Sequence, residues 1–253
     1  MCYDLDARPP LPPIRGAAAD AGEVTLTSAG GTRVAAYGAR AMDPYAPGIV
    51  ILPDVRGLHP FYEELALRFA EAGVHAVAID YFSRTAGTAH RGEGFDFMSH
   101  VARTEPATLN ADVAAGVAYL RSPQGGAAER IYTIGFCFAG RLSSLQAAAG
   151  LGLAGVISFY GPPVGPSRVG LPAPADEAAR FECPVLAIYG GADEGIPEGD
   201  RDAYDRALEA AGVEHRSVVY PDAPHSFFDR RADDHAQASE DAWGEVLRFV
   251  GAA

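Results

Sequence analysis

Short apolar runs recur along the chain at residues 49–52, 74–79, 131–134, 156–159, 185–189 and 217–220. Each is bounded by turn-forming residues, which predicts strands buried within a sheet. Between them lie longer stretches with apolar positions at helical spacing, at 62–71, 109–120, 141–149, 202–211 and 236–250. The first of these stops at Gly73 and the fourth at Gly212, where glycine can take the left-handed turn that closes a helix. Strands joined by helices of this length pair in parallel, and the helices cover both faces. Residues 24–26 and 33–37 break the alternation; they flank Gly30-Gly31, which predicts an antiparallel hairpin. The expected fold class is α/β: a single domain with a mostly parallel central sheet, helices on both faces and an N-terminal hairpin.

Residues 1–22 fall outside this pattern. Pro9-Pro10-Leu11-Pro12-Pro13 is extended and cannot join a helix, so 1–22 reads as a lead-in and 23–253 as the domain. Residues 81–98 read as a loop, and 164–180, rich in Pro, Gly and Ala, as a mobile excursion. The formal net charge of −13, with no lysine anywhere, excludes nucleic-acid and anionic-membrane binding as working hypotheses. Three cysteines, Cys2, Cys137 and Cys183, cannot build a disulfide framework and fit a reducing compartment. The N-terminus lacks the basic start and apolar core of a signal peptide, so a cytoplasmic location is expected. His59, His75, His90 and His100 share no zinc-ligand spacing, and a P-loop needs a lysine. The run 150–155 spells G-x-G-x-x-G but follows a helix and precedes a strand, the reverse of a dinucleotide site. No cofactor and no metal is expected.

In an open parallel sheet, ligands bind at the carboxyl ends of the strands. Four predicted strand ends carry reactive groups. Gly135-Phe136-Cys137-Phe138-Ala139-Gly140 joins a strand to a helix, with small residues two before and two after Cys137. That is the layout of a nucleophile elbow, and the helix start favours a thiolate. Asp193, in Gly190-Gly191-Ala192-Asp193, can orient an imidazole, and His225 follows the next strand. Nucleophile, acid and base thus come in the chain order Cys137, Asp193, His225, the order used by α/β-hydrolases. Pro53-Asp54-Val55-Arg56-Gly57 follows the first buried strand. Its Val55 N–H, with that of Phe138, would form an oxyanion hole.

These motifs, with Gly191-Ala192-Asp193 and His225-Ser226-Phe227, make the stretch from about residue 48 to 250 resemble the dienelactone hydrolase family of α/β-hydrolases. The resemblance implies a Cys-His-Asp triad of Cys137, His225 and Asp193. It also implies a small ester or lactone substrate and a thioester intermediate. Dienelactone-cleaving members carry a Glu that contacts the resting thiol; Asp54 stands in its place, one methylene shorter. They hold the substrate carboxylate with two arginines. Arg84 matches the first; the second position, four residues after the triad His, holds Asp229, with Arg230 and Arg231 next to it. Arg84, Arg230, Asp54 and Phe136 are therefore the candidates for substrate or thiol contact. Asp229 would repel an anion, which disfavours dienelactone itself. A regulatory ligand-binding module on the same fold, and acyl transfer to an acceptor other than water, remain alternatives. A homodimer is the open expectation on assembly.

Overall fold

The computed structural model describes residues 8–11, 18–89, 94–229, 231–232 and 234–252. Eight strands form one sheet in the order β1-β2-β4-β3-β5-β6-β7-β8. The N-terminal hairpin pairs β1 (Ala18–Thr27) antiparallel with β2 (Arg33–Ala41), and β2 runs antiparallel to β4 (His75–Ile79). All remaining pairings are parallel: β4 with β3 (Gly48–Leu52), β3 with β5 (Ile131–Phe136), then β6 (Gly155–Phe159), β7 (Val185–Gly190) and β8 (His215–Tyr220).

The helices are α1 (Pro60–Glu71), α2 (Ser83–Ala86), α3 (Phe97–Val101), α4 (Pro106–Arg121), α5 (Phe138–Leu145), α6 (Pro174–Glu177), α7 (Glu198–Ala211) and α8 (Ala236–Val250). The period of two along β3 divides the core. Ile49 and Ile51 join the apolar cluster that holds Phe61, Leu65 and Phe69 of α1 with Ala242 and Val246 of α8. Val50 and Leu52 join the opposite cluster with Leu109, Val113 and Val117 of α4 and Leu142 of α5. Both faces of the sheet are thus buried, which is why β3 is apolar at every position.

Three expectations change. The first strand begins at Ala18, inside the stretch read as lead-in, because Ala18–Thr27 pairs along the whole of β2. The stretch 81–98 is not wholly loop: it contains α2 and the start of α3. The excursion 164–180 contains α6 and a 3-10 turn over Ala178–Arg180. Among the described residues, no helix is long and apolar enough to cross a membrane.

The strand order reverses direction between β3 and β5, the switch point at which an open α/β sheet leaves a crevice at its carboxyl edge. The loop after β3 and the β5–α5 turn meet there.

Candidate active site

The β5–α5 turn is sharp because Cys137 sits at φ 57°, ψ −118°, outside both helical and extended backbone. Non-glycine residues avoid positive φ, and those held there cluster at functional sites. The turn needs the small residues around it. A Cβ on Gly135 would lie 1.9 Å from the Ala139 carbonyl oxygen, and one on Gly140 would lie 2.6 Å from that of Phe159. The Cys137 N–H donates to the Phe159 carbonyl at 3.0 Å, tying the elbow to β6. The thiol is half-buried.

Asp193 stands just past β7. Its Oδ1 accepts from its own turn, the Gly195 N–H at 2.9 Å, and its Oδ2 lies 2.6 Å from His225 Nδ1. The carboxylate is buried while the imidazole is half-buried, so the pair is anchored from the inside. An ionised carboxylate only accepts, so this contact places the ring proton on Nδ1 and leaves Nε2 with its lone pair.

The loop after β3 is held from three sides. The Asp54 N–H donates to the Tyr62 hydroxyl at 2.9 Å, and the Tyr81 hydroxyl donates to the Pro53 and Asp54 carbonyls. Asp54 Oδ1 accepts the Arg56 N–H at 2.9 Å, closing the turn. Neither the Val55 N–H nor the Phe138 N–H has an acceptor among the described residues.

Cys137, His225, Val55 and Phe138 line one cavity of about 440 Å³. Met98, Val101 and Val169 add apolar wall, and Arg141 and Arg168 add charge. The structure thus brings Cys137, Asp193, His225, Val55 and Phe138 to one place. The sequence reading misplaced others. Arg84 is not at the cavity: its Nε and Nη2 grip Asp112 at 2.7–3.1 Å, and the guanidinium also donates to Ser28 Oγ and Thr32 Oγ1. A guanidinium spent on a buried carboxylate and two hydroxyls is a structural tie. Phe136 is likewise core: it is fully buried and stacks on Phe159 at 5.0 Å. Asp54 is fully buried with its Oδ1 turned into its own loop, and it is not part of the cavity wall. Arg230 lies outside the described residues.

Arg141 was not anticipated. It is buried, and its guanidinium donates to the carbonyls of Val164, Gly165, Leu171 and Pro172. Burial lowers its pKa, partly offset by Asp176. The only sequence signal is its place four residues after Cys137, which puts it one turn into α5 and on the cavity side. Cys183 is a different thiol: burial, with Glu182 nearby, pushes it up to about 11, leaving it inert. Among the described residues, no cluster of His, Cys, Asp and Glu could hold a metal.

Comparison with known proteins gives the family. The sequence profile of the dienelactone hydrolase family matches residues 34–253. A Methylorubrum extorquens protein named “Putative carboxymethylenebutenolidase” is 32% identical over 228 residues, spanning 88% of this chain and 78% of its own. An Escherichia coli K12 protein of the same name is 31% identical, spanning 87% and 82%. A crystal structure from Klebsiella pneumoniae, titled “Putative Dienelactone Hydrolase”, superposes with a TM-score of 0.81 at 29% identity, covering 92% of this chain and 98% of that one. The chain is a member of the dienelactone hydrolase family, built on the α/β-hydrolase fold.

Proposed function

We propose that the protein hydrolyses small carboxylic esters and lactones through Cys137, His225 and Asp193. The observation that carries the reading is the 2.6 Å Asp193–His225 pair opening onto the same cavity as the strained Cys137 elbow. Nε2 of His225, left as acceptor by Asp193, takes the thiol proton. The thiolate adds to the substrate carbonyl, and the oxygen that gains charge is received by the Val55 and Phe138 N–H groups. One such donor is worth about 3–4 kcal/mol in the transition state. Collapse expels the alcohol, which takes the proton from His225, and leaves a thioester on Cys137. Water, deprotonated by the same Nε2, adds to the thioester; the acid leaves and the thiol is restored. The apolar wall of Val55, Met98, Val101, Phe138 and Val169 favours an apolar body next to the reacting carbonyl.

The test is hydrolysis of an activated acyl ester, neutral lactones and an anionic dienelactone by wild type and Cys137→Ala. Turnover that falls on the order of 10³-fold or more in the variant is expected. Full activity in Cys137→Ala would sink the assignment. No turnover on any of these by a folded wild type would favour the ligand-binding alternative.

A further inference from the structure

The three loops of the proposed triad leave three different strands, so something must fix them relative to one another. Two of them are tied by the Asp193–His225 contact and by the Ala192 N–H, which donates to the Ala223 carbonyl at 3.0 Å. A contact at Nδ1 fixes one atom of the ring, and the orientation of the imidazole about that atom is set by what packs on it. The residues that complete the constraint are Phe159 and Tyr160, at the end of β6.

Their contacts reach each loop in turn. The Phe159 carbonyl accepts the Cys137 N–H at 3.0 Å. The Tyr160 N–H donates to the Ile188 carbonyl at 2.7 Å, on the strand that delivers Asp193. The Tyr160 hydroxyl donates to Asp229 Oδ2 at 2.8 Å, in the segment that follows His225. The Tyr160 ring itself lies against the imidazole, with centroids 4.9 Å apart and planes at 53°. Tyr160 is fully buried and held at φ 38°, a conformation a tyrosine keeps only when its surroundings enforce it. Asp229 is buried too, four residues after His225 and beyond Ser226 at φ 63°. The His225 loop is thus clamped between Asp193 on one side and the Tyr160–Asp229 bond on the other.

We propose that Tyr160 and Asp229 form a positioning pair that holds the His225 imidazole in register with Cys137. The inference rests on the triad reading above and adds the residues that align it. Tyr160 and Asp229 do not line the cavity, so they act on the imidazole and not on the substrate. Asp229 occupies its place as an acceptor for Tyr160.

The experiment compares wild type, Tyr160→Phe, Asp229→Ala and Asp229→Asn in two assays. Folding is checked by circular dichroism. The first assay is steady-state hydrolysis of an activated ester. Tyr160→Phe and Asp229→Ala should lower kcat by about 10- to 100-fold, the scale of a small misplacement of a catalytic group. KM should stay within about twofold, since binding contacts are untouched. Asp229→Asn keeps an oxygen to accept the Tyr160 proton and should retain most of kcat. The second assay needs no substrate. It follows iodoacetamide alkylation of Cys137 against pH, read on the Cys137 peptide by mass. A thiol aligned with an imidazole reacts well below the ordinary thiol pKa of about 8.5. Tyr160→Phe and Asp229→Ala should move the profile toward that value, and Asp229→Asn should not. Wild-type kcat with an unchanged alkylation profile in Tyr160→Phe would overturn the proposal. So would Asp229→Asn proving as damaging as Asp229→Ala, because the effect would then belong to the charge and not the bond. If Tyr160→Phe does not fold, the two Asp229 variants decide. If the wild type hydrolyses no ester, the esterase reading fails while the alkylation profiles still decide the alignment.

Discussion

Arg84 spans from α2 to α4 and grips the Asp112 carboxylate, which is almost wholly shielded from water. Deleting the guanidinium would strand that charge. Arg84→Ala is expected to destabilise the fold by about 3 kcal/mol, the lower end for breaking a buried pair, since Arg84 itself is partly exposed. Urea unfolding measures this. The double change Arg84→Met with Asp112→Leu should recover most of the loss, because no charge is then left behind. KM for an anionic lactone should be unaffected by Arg84→Ala in the protein that remains folded; a selective rise would return Arg84 to the substrate. The case marks what single residues reveal in sequence. Asp193 and His225 were legible because each directly follows a strand, and the carboxyl end of a parallel strand always faces the crevice. Arg84 also follows a strand closely, but it sits inside α2, and the helix turns its side chain away. Its partner Asp112 is 28 residues further on, a separation that no local pattern encodes.

At the scale of elements, the wall of the cavity is held by α5. Arg141 reaches from this helix to four carbonyls of the segment before α6, so the excursion that looked mobile from its Pro and Gly content is pinned. Arg141→Leu removes every one of these bonds. A loss of about 3 kcal/mol is expected from hydrogen bonds to a charged donor, reduced by the exposure of part of the segment. Limited proteolysis should cut between residues 164 and 172 in the variant and spare the wild type; equal resistance would refute the clamp. The strands β3 to β7 were legible because burial on both faces makes them continuously apolar. The start of β1 was not: Ala18 to Gly22 offers only small or acidic side chains, and its strand state comes from pairing with β2. The helices α2, α3 and α6, of four or five residues, are too short to display a period.

At the scale of the molecule, His75, which begins β4, contributes a pH dependence to stability. Its Nδ1 accepts the Ala41 N–H at 3.1 Å, and its ring packs against Gly126, so it joins β2, β4 and the turn after α4. Burial, with Arg40 nearby, lowers its pKa, and Asp43 offsets this only in part. A lowered pKa in the folded state means that the unfolded chain takes up a proton the folded one refuses. The contribution is therefore present above the unfolded value, about 6.5, and is lost as pH falls below it toward the folded pKa. Thermal midpoints measured from pH 7.5 to 5 should decline, and the decline should be shallower in His75→Asn, whose amide oxygen can still accept from Ala41. An identical slope in the variant would assign the dependence elsewhere.

Cys137 leaves β5, flanked by strands on both sides, whereas His225 leaves β8, which among the described residues has β7 as its single neighbour and presents Val219 to solvent. The proposed nucleophile and base therefore belong to regions of unequal cooperativity. An opening that peels β8 and its trailing helix from the edge costs less than global unfolding. Such an opening would part the His225 imidazole from the Cys137 thiol while the central strands stay paired.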